Sequence, residues 1–261
     1  MQLAANVSWL YRHLDEAERF AAAAADGFEA VEILMPYAQT PAWYDQQLRA
    51  AGVALVLINT PTGAGPGRLG WAAVPGAEAE FAAAFAQARA VAQATGCGRI
   101  HVMAGAATAS PQAERDRVLR HNLERALRWS ETDGLLLTLE PLNRTDMPGY
   151  HYHWPEHAVA VLREFASPRL RLQFDYYHVV MEGLDAMATV RACAPWIGHV
   201  QIAGAQGRYE PELARDGLLE AVAALPGLGY DSWLGCEHQP RTTPAEGLRW
   251  CEPLRQRGVV R

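Results

Sequence analysis

Lysine is absent: all 23 basic residues of the 261-residue chain are arginine. No side-chain amine is available for a Schiff base, which excludes chemistry run through a lysine-bound carbonyl or pyridoxal group. A phosphate-cradling loop that ends in Gly-Lys-Ser/Thr is excluded as well. Cysteine is scarce, and Cys97, Cys193, Cys236 and Cys251 include no C-x-x-C pair and no spacing of a structural zinc site. There is no Gly-x-Ser-x-Gly elbow to present a nucleophilic serine. Basic charge is also in deficit, since 29 acidic residues against 23 basic ones leave a formal net charge of −6. A chain that binds a phosphate backbone usually carries a basic stripe, so nucleic acid is not an expected partner. Residues 1–16 lack the basic-then-apolar pattern of a signal peptide, and the uncharged run 50–67 is interrupted by Pro61 and Pro66. With reduced thiols, these absences lead to the expectation of a cytoplasmic protein with no membrane partner.

Half the residues are hydrophobic and a fifth are charged, which provides for a sizeable core. Short apolar runs alternate with helical patterns along the whole chain. Strands are expected at 3–7, 30–34, 54–58, 99–103, 135–140, 170–175, 197–202 and 232–237. Helices are expected at 15–26, 41–51, 76–95, 111–132, 154–165, 184–193, 217–224 and 244–257. Gly27, Gly52, Gly96 and Gly229 fall between a helix and the next strand, where a left-handed C-terminal residue is wanted. Eight β-then-α units in this length predict an α/β fold, a (β/α)8 TIM barrel forming a single domain over 1–261. A doubly wound sheet would call for a glycine-rich loop after its first strand, but that strand runs into Trp9-Leu10-Tyr11.

Active sites of such barrels lie at the C-terminal ends of the strands. Four late strands each place an oxygen-bearing polar residue there: Glu140, Asp175, Gln201 and Glu237. Strand parity sets Leu135, Leu137 and Leu139 on one face and Thr138 and Glu140 on the other, and it opposes Phe174 to Gln173 and Asp175. The apolar faces would pack on the helices and leave the carboxylates in the barrel mouth, with His199 also facing inward. Three converging carboxylates repel one another, and a bound divalent cation would relieve this. An all-oxygen ligand set from Glu140, Asp175, Gln201 and Glu237 favours Mg²⁺ or Mn²⁺ over zinc.

Several segments, in order along nearly the whole chain, resemble the hydroxypyruvate isomerase family of the xylose-isomerase-like barrels. They include Ala5-Asn6-Val7-Ser8, Gly27-Phe28-Glu29-Ala30-Val31-Glu32, Arg99-Ile100-His101-Val102-Met103, Glu140-Pro141-Leu142-Asn143, Asp146-Met147-Pro148-Gly149-Tyr150, Gly198-His199-Val200-Gln201-Ile202 and Gly235-Cys236-Glu237. The resemblance implies a metal-assisted isomerase of a sugar or hydroxy-oxo acid, acting on a small-molecule substrate. It places Glu140 and Glu237 on the acid/base pair, and His178 and Arg208 on positions that hold substrate oxygens. Self-association of the barrel is a further expectation. Two loops depart from the family pattern. The segment 203–212 lacks the usual Gly-Thr-Gly-Glu stretch, and the fifth loop carries Tyr150-His151-Tyr152-His153-Trp154. Both are expected to border the substrate, and Trp9, Tyr11, Trp71, Tyr150 and Trp154 are candidates to close over it.

The expected reaction interconverts hydroxypyruvate and tartronate semialdehyde through an enediolate. Two glutamates exchange the proton and a cation holds the oxygens. Arg208 would grip the substrate carboxylate with its planar fork. A ketose 3-epimerase would use the same glutamates on a longer substrate, and a non-catalytic sugar-binding barrel is the remaining alternative. An abasic-site endonuclease on this barrel would need a histidine-rich multi-zinc centre and a basic face, which the composition does not supply.

Overall fold

The computed structural model describes residues 1–261, apart from the side chain of Pro66. Eight parallel strands close on themselves in sequence order: β1 (Gln2–Asn6), β2 (Ala30–Ile33), β3 (Ala54–Asn59), β4 (Arg99–His101), β5 (Leu136–Leu139), β6 (Leu170–Asp175), β7 (Ile197–Ile202) and β8 (Trp233–Cys236). The barrel closes where β1 pairs with β8 from Gln2↔Trp233 to Ala5↔Cys236. The helices around it are α1 (Glu16–Ala25), α2 (Pro41–Ala51), α3 (Glu78–Thr95), α4 (Gln112–Trp129), α5 (Pro155–Phe165), α6 (Tyr176–Met181), α7 (Ala186–Cys193), α8 (Leu218–Ala223), α9 (Pro244–Gly247) and α10 (Glu252–Gln256). The expected (β/α)8 barrel is therefore the observed fold. Among the described residues, no helix is long and apolar enough to cross a membrane.

Local chemistry explains most boundaries. Thr40 accepts the backbone N–H of Trp43, and Pro41, which has no N–H to satisfy, opens α2. Gly52 ends the same helix at φ 69°, a conformation that costs a residue with a Cβ. Two expectations needed correction. The last helix, read as continuous over 244–257, breaks into α9, a 3-10 turn at Leu248–Cys251 and α10; Pro253 cannot donate to a preceding turn and so sits in the first turn of α10. And α6 follows β6 without a loop, where the strand-like residues Tyr176-Tyr177-His178-Val179-Val180 gave no helical signal.

Strand parity sorts the core as expected. Leu137, Leu139, Leu172, Phe174 and Val200 are buried outward against the helices, within one large apolar cluster. Deleting one such side chain to alanine typically costs about 2–5 kcal/mol. Phe81, Phe85 and Trp129 pack between α3 and α4 with ring centroids 5.9–6.3 Å apart. The inward faces are polar: Asn6, Glu32, His101, Thr138, Gln173, His199 and Gln201 are all buried. All four cysteines are buried and unpaired, and burial pushes the thiols of Cys97 and Cys193 up to about 12.

Candidate active site

The ladder register brings the site together. Asp175 on β6 pairs with Gln201 on β7, and Gln201 pairs with Gly235 on β8, so the ends of three strands lie level. Glu140 and Glu237 come one residue after β5 and β8, each still buried.

Asp175 ends β6 and also caps α6. Its Oδ1 accepts the N–H of Tyr177 at 2.9 Å, while Oδ2 is buried with no hydrogen-bond partner. One helical turn later His178 points back at the cap, with Nε2 3.6 Å from Asp175 Oδ2 and 3.8 Å from Glu140 Oε1. The Asn143 backbone N–H donates to His178 Nδ1 at 3.0 Å, and Asn143 Nδ2 lies 2.8 Å from the same atom. With Nδ1 an acceptor, the ring proton sits on Nε2 and faces the two carboxylates.

The other oxygen of Glu140, Oε2, lies 3.0 Å from His101 Nδ1 and accepts Gln173 Nε2 at 2.9 Å. Gln173 Nε2 also donates to Gln201 Oε1 at 2.6 Å, and Gln173 Oε1 accepts the Thr138 hydroxyl at 2.9 Å.

Arg208 supplies the fixed cation. Its backbone has φ 55°, in the left-handed region that a residue with a Cβ seldom adopts. The conformation is held by Gln239, whose N–H donates to Arg208 O at 2.8 Å. The guanidinium lies between two rings, 4.6 Å from Trp9 and 4.5 Å from Tyr177, and Tyr177 in turn donates its hydroxyl to Asp146 at 2.5 Å. Arg208 Nη2 stands 2.9 Å from Glu237 Oε2 and 3.7 Å from Asp175 Oδ2, while Nε donates to Glu237 O at 3.2 Å.

Proton affinities are displaced accordingly. Burial, with repulsion from Asp175, raises the Glu140 carboxyl well above its usual range. Burial raises Glu237 as well, against the pull of Arg208. Asp175 is pushed up to about 6, by burial first, with Arg208 opposing. Burial and the Arg208 charge hold His178 well below the imidazole range, and burial holds His101 at about 3. Burial thus favours the uncharged form of both the imidazoles and the carboxyls of the site.

Glu140, Asp175 and His178 each place a ligand-type atom within 4.8 Å of the others, the only such group among the described residues. The donor chemistry fits a hard divalent cation at the carboxylates. Asp175 Oδ2 is orphaned, and Glu237 Oε2 is buried without an aligned hydrogen bond. His178 fits this picture as a hydrogen-bond donor rather than a ligand, because its inward nitrogen carries the proton.

Sequence reasoning missed Glu32, His101 and Gln173, which hold the site from below. A charged or imidazole residue inside an otherwise apolar strand, as in Ala30-Val31-Glu32-Ile33, was the available signal. The aromatic expectation needs revision. Trp9 reaches the mouth, joined by Tyr177, but Tyr11 and Tyr150 are buried and bond Asp26 and the Ala104 N–H. From the same loop as Tyr150, His151 and His153 line, with α4 and α5, a groove of about 540 Å³, while Trp154 lies under Arg144.

A closed parallel barrel with a buried carboxylate cluster at its C-terminal mouth is the architecture of an enzyme. The xylose isomerase-like TIM barrel family model matches residues 20–254. The 2-oxo-tetronate isomerase of Cupriavidus necator is 39 % identical over 97 % of this chain and 98 % of its own length. The hydroxypyruvate isomerase of Escherichia coli is 33 % identical over 98 % of this chain and all of its own. Among solved structures, an AP endonuclease of family 2 from Brucella melitensis superposes with a TM-score of 0.88 at 30 % identity, covering 97 % of this chain and 98 % of that one. This chain belongs to the xylose isomerase-like TIM barrel family and is an isomerase.

Proposed function

We propose that the protein interconverts the aldehyde and ketone forms of a small hydroxy-oxo acid, of the hydroxypyruvate–tartronate semialdehyde type, with a divalent cation such as Mg²⁺ or Mn²⁺. The observation that carries this reading is the pairing of two buried glutamates, Glu140 and Glu237, whose proton affinities burial raises, with one guanidinium held in the same mouth. The relatives named for hydroxypyruvate and 2-oxo-tetronate support a three- or four-carbon oxo acid.

Arg208 receives the substrate carboxylate through its in-plane N–H edge, since its two faces are covered by Trp9 and Tyr177. As the substrate carboxylate takes a share of the guanidinium's N–H groups, Glu237 loses part of its counter-charge and becomes the stronger base. One glutamate removes the proton from the carbon that bears the hydroxyl, the other delivers a proton to the former carbonyl carbon, and the hydroxyl proton passes to the former carbonyl oxygen, so that the carbonyl and hydroxyl exchange places through an enediolate. His178 donates from Nε2 to a substrate oxygen as charge develops on it. Glu140, Asp175, Gln201 and Glu237 would hold the cation, which supplies Lewis-acid polarisation of the substrate oxygens. Abasic-site cleavage, suggested by the description of the Brucella relative, is disfavoured by the net charge of −6 and by the single acidic cluster among the described residues.

The test is proton NMR of hydroxypyruvate in D₂O with metal-stripped protein, with and without Mg²⁺ or Mn²⁺. Tartronate semialdehyde should form with deuterium at carbon, and chelator should abolish it. Glu237→Gln should slow turnover by about 10²–10⁴, the usual contribution of a positioned general acid or base. Metal-independent turnover, or full activity in the variant, refutes the mechanism.

A further inference from the structure

Glu32 is a carboxylate at the floor of the barrel with no exposed surface, and the mechanism above does not use it. Its surroundings are built for it. Oε2 accepts Asn6 Nδ2 at 3.2 Å and Gln201 Nε2 at 2.8 Å, and Oε1 lies 2.5 Å from His199 Nε2. Space for Oε1 exists because residue 235 is glycine. A Cβ at Gly235, on β8, would stand 2.1 Å from that oxygen, so a larger residue there would force the Glu32 carboxylate out of its present place.

The consequence lies in Gln201. A side-chain amide is nearly symmetric in shape, so packing alone distinguishes poorly between its two orientations. A carboxylate can only accept, so the group that Gln201 turns to Glu32 must be its NH₂. The amide oxygen is then directed the opposite way, to Gln173 Nε2, the nitrogen that also donates to Glu140. The reversed amide would set an NH₂ among the carboxylates where an oxygen ligand is needed, and an oxygen against Glu32. Thr138, at the far end, fixes the direction of the chain by donating to Gln173 Oε1.

We propose that Glu32 is a positioning residue that sets the Gln201 amide with its oxygen toward the carboxylate cluster, so that Gln201 serves the divalent cation as a neutral oxygen ligand. This rests on the metal reading above. Outer groups that orient ligands of this kind typically change metal affinity by about 10–100-fold when removed.

The experiment is Mn²⁺ titration of the full chain, by calorimetry and by the loss of free-ion paramagnetic resonance, in four proteins: wild type, Glu32→Gln, Gln201→Glu and the double variant. Glu32→Gln should weaken Mn²⁺ binding about 10–100-fold. A glutamate at 201 has no wrong face but would confront the Glu32 oxygen across the distance now bridged by a hydrogen bond. In that background Glu32→Gln should therefore tighten Mn²⁺ binding. Loss of one negative charge, or general damage to the barrel floor, would weaken binding in both backgrounds, so an effect of the same sign overturns the proposal, as does no effect in the first. Wild-type protein that binds no Mn²⁺ overturns the metal reading itself and this proposal with it. If Glu32→Gln does not fold, side-chain amide exchange in wild-type protein labelled with ¹⁵N-glutamine decides. Slow exchange of the Gln201 Nε2 protons is expected, and exchange as fast as that of an exposed glutamine overturns the assignment.

Discussion

The barrel mouth and the groove between α4 and α5 are built from the same kinds of side chain. The groove has Arg115, Arg120, Asp116, Glu164 and three histidines, and it is the roomier of the two. The mouth has Arg208, three carboxylates and two histidines, all buried. The difference is water. Arg120 and Glu164 form a two-pronged pair with about half of each side chain exposed, and their hydrogen bonds shift each only toward its ordinary charged form, although His151 beside them is buried and held at about 4. In the mouth the Asp175 and Arg208 side chains are 0 % and 9 % exposed. There the same charges displace one another's proton affinities and leave lone pairs unused. The displaced proton affinities of the mouth follow from exclusion of solvent rather than from residue count.

The comparison can be broken at its strongest point first. Arg208→Met keeps the stacking bulk between Trp9 and Tyr177 but removes the charge; kcat/KM for the oxo acid should fall by about 100-fold or more, the scale of a buried charge-assisted contact. Arg120→Met in the groove should leave kcat/KM within about twofold, and steady-state kinetics on both variants checks the pair.

Asp175→Asn tests the cost of burying charge in the mouth. The folded-state pKa of Asp175 is raised from 3.8 to about 6, so its contribution to stability is fully present below pH 3.8 and is lost as the pH rises through about 6. In chelator-treated protein the variant should thus gain on wild type as the pH climbs through that window, by up to about 3 kcal/mol at pH 7. Urea melts at pH 4 and pH 7 would show the gap open or fail to open.

The smallest effect sharpens the other side. A double-mutant cycle on Arg120 and Glu164 should return a coupling of about 1 kcal/mol or less, reduced further by salt. A coupling as large as that of the mouth would mean that the groove, too, excludes water.

The fold was legible because its signals are local and repeated. Strand parity at Leu137, Thr138 and Leu139 and the glycine ends of helices such as Gly52 and Gly96 recur around the barrel, so an error at one unit does not disturb the rest. The strand-end residues Glu140, Asp175, Gln201 and Glu237 were legible for the same reason. The residues beneath them were not, because what singles out Glu32 is the glycine opposite, 203 positions away in sequence, and no local pattern records that pairing. The short helix α6 escaped because Asp175 serves both as strand end and as cap, leaving no loop to mark the change. In the Tyr150–Trp154 run, composition did not reveal that Tyr150 and Tyr152 are buried while His151 and His153 line the groove by α4 and α5.

The four buried thiols give the molecule a set of internal clocks. Cys97 precedes β4, Cys193 ends α7, and Cys236 in β8 lies close to Cys251 between α9 and α10, so the four thiols watch three sectors of the wall. Because burial suppresses the thiolate of each, alkylation must wait for its sector to breathe. With no lysine to compete for electrophiles, labelling rates at Cys97, at Cys193 and at the Cys236/Cys251 pair would report the opening frequencies of three staves of the barrel, without any probe being introduced.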